Sequence, residues 1–318
     1  MLSYIIRRII HAIIIVVLVG FAVFFLMRTL PGDPIYMMMS ASQLNEYTTE
    51  QIEAVRESKG LNRPILVQYA DWFSQMLKGS FGKSLMRNFD IARELKSRVV
   101  VSLTIGLTAF IIGFTIGPIL GIISAIRRGK FLDNLVTTFA NIGITAPSFW
   151  IAILLMYYIS FKLDLLPLYG YTLPWVDPIM SLKQGILPVF VTALGPIGSS
   201  CRQTRSSVLE VMNQDFVRTA WAKGLNEKKV IMKHIIKNSL LPVVTLQGMM
   251  LRMIIGGSVV VETIFVVPGM GNMMVDGMLS QDYTVVQAVT VIMTIMVVVS
   301  SLLVDLLYGW IDPRIQYS

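Results

Sequence analysis

Six apolar runs, each about as long as a bilayer is thick, constrain this chain more than any other feature. They cover approximately residues 9–30, 99–126, 135–161, 185–200, 241–261 and 284–310. A hydrocarbon core about 30 Å thick is crossed by about 20 helical residues. Inside it every backbone N–H and C=O must be paired within the chain, so runs of this length fold as helices. The fourth run is the weakest, because Pro188, Gly195 and Pro196 interrupt it. Only 14% of the residues are charged and 54% are hydrophobic, against about 25% charged in soluble domains. The expected fold class is an all-α membrane protein with about six transmembrane helices.

Orientation follows from the connecting segments. Arg7-Arg8, then Arg127-Arg128 with Lys130, then residues 202–237 are basic, whereas residues 262–282 carry acids and no Lys or Arg. The basic set faces the cytoplasm. Both termini are then expected in the cytoplasm, which requires an even number of spans. The excess of 27 Lys and Arg over 19 Asp and Glu, +8, is assigned to orientation and to anionic headgroups. No basic soluble domain is present, so a nucleic-acid partner is not expected. The first run, although preceded by Arg7-Arg8, is too long for a signal peptide and lacks a small-residue cleavage site. It reads as a retained first helix.

Residues 31–98 then lie outside. That segment is too long for a plain connection. Residues 48–59 and 64–76 have helical character, the latter repeating Leu66, Tyr69, Trp72, Phe73 and Met76 at helical spacing. Short helices on the outer face are expected, and Met37-Met38-Met39 reads as apolar packing. The chain divides into 1–98, an N-terminal helix with its outer segment, and 99–318, a core that includes a cytoplasmic loop at about 206–240.

Several chemistries lack their residues. Gly82-Lys83-Ser84 matches the end of a phosphate-binding loop, but Leu77 stands where the first glycine is required. One cysteine, Cys201, and two histidines, His11 and His234, offer neither a metal cluster nor a nucleophile–base pair. No catalytic, cofactor or metal site is expected. An intramembrane protease and a stand-alone channel or secondary carrier are the competing classes; the carrier would show matched halves with broken helices, and none is evident.

Polar groups inside spans should face protein or a water-filled path. Asn141, Gln247, Arg252 and Glu262 are the candidates for a translocation path, with Arg252 either lining it or pairing with a carboxylate. Arg202, Arg205 and Glu262 lie near span ends, where they can also reach headgroups. In the second span Ala109, Gly113, Gly117, Gly121 and Ala125 recur every four residues. That spacing lines one helix face with small side chains and lets another backbone approach. Either generic packing or a moving contact at a gate would use it.

The segment from Val208 to Asn238 is charged and amphipathic between two apolar runs. Asn213 or Asp215 is expected to cap a short helix, and Gly224 to end it in the left-handed conformation. Asn226 is expected to cap a second helix reaching about Asn238, with Lys228, Lys229, Lys233 and Lys237 on its wet side. A short helix, a glycine hinge and a second helix joined to the fifth span make a lever. A headgroup-binding helix is the alternative, but the first helix has little basic charge for that purpose.

The residues Arg218-Thr219-Ala220-Trp221-Ala222-Lys223-Gly224, with Leu241-Pro242, resemble the EAA loop of ABC-importer permeases, in the longer form of the oligopeptide/dipeptide/nickel family. Further matches keep the family's order along the chain. They are Leu30-Pro31-Gly32-Asp33-Pro34, Gly60 to Pro64, Leu77 to Ser84, Ala146-Pro147-Ser148-Phe149-Trp150 and Leu166 to Gly170. Glu262 to Phe265, Pro268 to Gly271 and Asp312-Pro313-Arg314 complete the series. The long outer segment is similar to that of the "B" permease of the pair. The resemblance implies a type I ABC importer permease fold in a bacterial cytoplasmic membrane. It implies as partners a second homologous permease, two cytoplasmic ABC ATPases that use ATP and Mg, and an extracytoplasmic substrate-binding protein. Coupling to the ATPases is implied for Asp215, Phe216, Arg218, Thr219, Ala220, Lys223, Gly224 and Leu225. Di- or oligopeptides are the implied cargo, with nickel chelates, opines, haem or oligosaccharides as alternatives.

Overall fold

Proline placement decides which apolar runs become straight helices and which bend. The computed structural model describes residues 2–29, 48–58, 60–255 and 259–311. Its elements are α1 (Leu2–Thr29), α2 (Thr49–Ser58), α3 (Ile65–Leu77), α4 (Ile91–Ile126), α5 (Phe131–Thr145) and α6 (Ser148–Leu155), the last continuing as a π-helical turn over Met156–Lys162. Then come α7 (Pro178–Met212), α8 (Asp215–Ala222), α9 (Glu227–Lys229) with a π-helical stretch over Val230–Ile236, α10 (Lys237–Ile255), α11 (Val259–Ile264), α12 (Met270–Leu279) and α13 (Tyr283–Ile311). Among the described residues the extended pairing is a single bridge between Lys83 and Asp90. The motif residues 30–34, the methionines at 37–39 and residues 312–314 lie outside the described residues.

Among the described residues four helices are long and apolar enough to cross a membrane, and a bent pair raises the number to five, beside the expectation of about six. The run at 135–161 is that pair: α5 and α6 meet at 104°. Ala146 and Pro147 are extended there, with ψ of 132° and 126°. Proline has no N–H to continue the ladder, and its ring drives the preceding residue out of the helical region. The run at 185–200 is the middle of α7, a helix of 35 residues that contains both Pro188 and Pro196. Pro178 opens it at a position where an N–H is not needed, and Asp177 caps it by accepting from Ile179 N at 3.0 Å and Met180 N at 2.9 Å. Of the run at 241–261, residues up to Ile255 belong to α10 and those from Val259 to α11, and residues 256–258 lie outside the described residues; Lys237, Asn238, Gln247 and Arg252 lower the apolarity of α10.

The chain separates into two compact units, Met1–Val100 with Gly269–Val298, and Val101–Pro268 with Val299–Ser318. In the first, α3 lies on α1. The Tyr69 hydroxyl donates to the Val17 carbonyl at 2.8 Å, and its ring meets Phe21 and Phe24 edge-on. A second core of this unit gathers Ile91, Leu95, Met270, Met273, Val285, Ala288 and Val289. Above it, buried Asp282 accepts from Ser84 Oγ at 2.6 Å, Thr284 Oγ1 at 2.7 Å and Met86 N at 3.3 Å. The serine of the phosphate-loop look-alike is thus a structural donor to a carboxylate.

In the second unit α7 is the central helix. A Cβ on Gly113 would stand 2.7 Å from Pro196 Cβ, one on Gly117 2.5 Å from Ser200 Cβ, and one on Gly121 2.5 Å from the Cys201 carbonyl. Ala109 and Ala125, at the ends of that stripe, are buried. On the α5 side, a Cβ on Gly143 would lie 2.9 Å from the Leu194 carbonyl, and one on Gly198 would run into the Ala140 carbonyl. Glycines on three helices therefore let backbones touch, which is the packing mode available where lipid removes the hydrophobic driving force.

Candidate functional site

Two features of the second unit are built well enough to carry function: the loop that follows α7 and a cavity at the α5–α6 bend.

The loop helix α8 starts after Gln214, which is extended and makes no side-chain cap; Asn213 donates instead to the Leu209 carbonyl at 3.0 Å, and Asp215 sits in the first turn. The expected cap by Asn213 or Asp215 is therefore replaced by an acid in the first turn, which favours the positive helix end. At the other end Gly224, φ +71°, donates from its N–H to the Trp221 carbonyl at 2.9 Å, and Leu225 N reaches the Ala220 carbonyl at 3.4 Å. That pair of bonds is a Schellman closure. Asn226 caps the next helix by accepting from Lys228 N at 3.0 Å. The second helix does not stop near Asn238. It passes through the π-helical stretch into α10.

Val217 and Ala220 on α8 are buried with Ala125, Val208, Val230 and Ile235, and Leu225 packs against them. The opposite face is open. Asp215, Phe216, Arg218, Thr219, Lys223 and Gly224 are exposed, as are Trp221 and the four lysines at 228, 229, 233 and 237. The Asp215–Arg218 ion pair at 3.4 Å is fully solvated and contributes little. The result is a short helix with a rooted face and a free face that is partly aromatic and partly basic.

Next to this root lies a charge cluster that sequence reasoning missed. Asp133, 3% exposed, accepts from Arg205 Nε at 2.8 Å, Arg205 Nη2 at 2.9 Å, Gly129 N at 2.9 Å and Ser124 Oγ. The bidentate geometry joins the end of α4, the start of α5 and the last turns of α7. Arg205 was read only as a residue near a span end; an acid just beyond Arg127, Arg128 and Lys130 was the available signal.

The four path candidates are placed as follows. Asn141 is exposed on α5 and lines a recess of about 360 Å³ with Arg202, Arg205 and Ser206. Gln247 is buried and donates its amide to Ser200 Oγ. Arg252 Nη2 pairs with Asp305 Oδ1 at 2.9 Å. Glu262, also buried, accepts from Ser102 Oγ at 2.6 Å. Three of the four thus join one helix to another.

The cavity at the bend has a volume of about 470 Å³. Gly143 from α5, Ala146 just past its end, Ser148 and Ile151 from α6, Thr192, Gly195 and Pro196 from α7, and Met250 and Met253 from α10 line it. Its walls are mostly apolar, in the manner of small-molecule sites.

Comparison with known proteins places these features in context. Residues 117–317 match the family described as binding-protein-dependent transport system inner membrane component, and residues 1–88 match its N-terminal counterpart. A putative peptide transport system permease protein of Brucella abortus is 36% identical over the full length of both chains. The oligopeptide transport system permease protein AppB of Bacillus subtilis is 39% identical, again over the full length of both. Among solved structures, the inward-facing MetNI methionine ABC transporter matches with a TM-score of 0.56 at 17% identity, over 69% of this chain and 96% of that one. The fold is therefore that of a type I importer permease.

Proposed function

This chain belongs to the family of inner-membrane components of binding-protein-dependent transport systems, and from that premise we propose that it is the permease subunit of an ATP-driven importer of di- or oligopeptides. The observation that carries the mechanism is α8, rooted through Val217 and Ala220 and open on its Phe216, Arg218 and Lys223 face. A rigidly seated helix with a free aromatic and basic face is suited to being gripped from outside the bilayer. The names of the Brucella and Bacillus relatives support peptides as the cargo.

In this reading a second, homologous permease completes the path. Two cytoplasmic ABC ATPases, which alone use ATP and Mg, hold the α8 helices, and a binding protein delivers cargo from outside. The basic segments 127–130 and 202–237 face the cytoplasm, together with both termini. ATP binding brings the ATPases together and pulls α8. Because α8 closes through Gly224 onto the helix that becomes α10, the pull shifts the permeases between inward-open and outward-open states.

Gly224→Val tests the handle. Nothing lies within 4 Å of the position a Cβ would take, so the substitution strains the backbone without a clash, by about 1–2 kcal/mol. In proteoliposomes containing the whole complex, ATP hydrolysis should persist while peptide uptake falls at least about tenfold. Unchanged uptake would remove α8 as the handle. Solute movement by the purified chain without ATPases would overturn the importer reading itself.

A further inference from the structure

The cavity at the α5–α6 bend is lined by Pro196 of α7 and lies beside the bend that Pro147 makes between α5 and α6. In an α-helix each N–H donates to the carbonyl four residues earlier. Pro147 therefore withholds the donor that Gly143 would receive, and Pro196 withholds the donor for Thr192. The amide just past α5, Ala146 N, is already given to the Ile142 carbonyl at 2.9 Å. Gly143 and Thr192 both line the cavity, and Gly143, without a side chain, lines it with backbone alone. The Thr192 hydroxyl is turned to its own helix, donating to the Pro188 carbonyl at 2.8 Å. Carbonyls that have lost their helical donors in apolar surroundings are costly until a donor arrives.

We propose that this cavity is a station for cargo bearing amide or ammonium N–H groups, received by the carbonyls of Gly143 and Thr192 while Ile151, Met250 and Met253 cover the cargo's side chains. The proposal rests on the importer reading and states how such a path handles its cargo. Main-chain N–H groups are common to all peptides, so acceptors aimed at them serve many sequences. Unbranched methionines adapt to side chains of different shape. A volume of about 470 Å³ suits a short peptide rather than a folded one.

The test uses the complete complex with its partner permease and ATPases in nanodiscs. A photoreactive dipeptide, p-benzoylphenylalanyl-alanine, is cross-linked and the labelled residues are found by mass spectrometry. Label is expected at Met250 or Met253. Trialanine should suppress it, and trialanine methylated at both amide nitrogens should compete about tenfold more weakly, having lost two donors. Pro196→Ala returns an amide to the Thr192 carbonyl; it should weaken trialanine several-fold and leave the methylated competitor unchanged. If that variant does not assemble, the two competitors on the unaltered complex decide alone. Equal competition by both, or label confined to other residues because the partner permease fills the space, overturns the station. Label without ATP-driven uptake upholds the station and overturns the importer reading, whereas uptake without label does the reverse.

Discussion

The glycine stripe of α4 gives a graded prediction. Alanine at Gly121 places its Cβ 2.5 Å from the Cys201 carbonyl oxygen and 2.7 Å from Thr204 Cβ. Ordinary contact begins at 3.4 Å, so α4 and α7 must part by about 3.4 − 2.5 = 0.9 Å at that point. At Gly117 the shortfall against Ser200 Cβ is the same, and at Gly113 it is 3.4 − 2.7 = 0.7 Å against a proline ring carbon. Overpacking of this kind costs about 1–3 kcal/mol, while replacing a mid-helix glycine by alanine returns about 1 kcal/mol. At Gly121 the obstacle is backbone, which cannot rotate away, so the cost falls at the upper end and the net loss is about 2 kcal/mol. Gly113→Ala should lose less, about 1 kcal/mol or below. Thr108→Ala, on the exposed side of the same helix, should stay within about 0.5 kcal/mol. Thermal unfolding of the detergent-purified protein, followed by tryptophan fluorescence, ranks the four. A Gly121→Ala protein as stable as the parent would refute the close approach of α4 to α7.

Three further outcomes are expected. Asp133→Asn breaks the bidentate pair with Arg205 and should destabilise the fold by about 3 kcal/mol, whereas Ser124→Ala should cost about 1 kcal/mol; both are read from folded yield and unfolding temperature. Burial raises the Asp282 carboxyl, but its bonds from Ser84, Thr284, Met86 and Val285 outweigh that and hold it below the usual carboxylate value of 3.8. Its contribution is therefore complete above about pH 4 and fades as pH falls through the lowered value; protection of the Met86 amide, taken relative to the intrinsic exchange rate at each pH, should fall only in acid, and Asp282→Asn should remove that dependence. Asn226→Ala should cost about 1 kcal/mol of helix capping, seen as faster amide exchange at Lys228 with Gly224 protection unchanged.

Local signals were legible in the sequence and pairings across it were not. Gly224 announced its closure because only glycine takes a positive φ freely after a short helix. Asn226 declared itself as a cap in the same way, and the aromatic spacing in 64–76 marked α3. The prolines at 147, 188 and 196 were visible, but residue type alone does not say which will break a helix. Pro147 ends α5 at 104° to α6, while Pro188 and Pro196 are carried within α7. After Asn226 the four lysines lie on the exposed side as expected, but the buried side departs from regular helical spacing. The buried positions there are Val230, Ile235, Ser239, Val243 and Gln247, spaced by five and then by fours. The first interval spans the π-helical stretch, which takes up one extra residue per turn. Asp133 and Arg205, and Arg252 and Asp305, are far apart in the chain, so each charge could be seen to need a partner without the partner being identifiable.

Cys201, the sole thiol in the chain, sits fully enclosed where α4 meets α7. A maleimide or spin-label reagent offered to the native protein would find nothing to modify. A second cysteine introduced on the surface, at Lys223 for instance, would become the one reactive address on the molecule, with no need to delete the original.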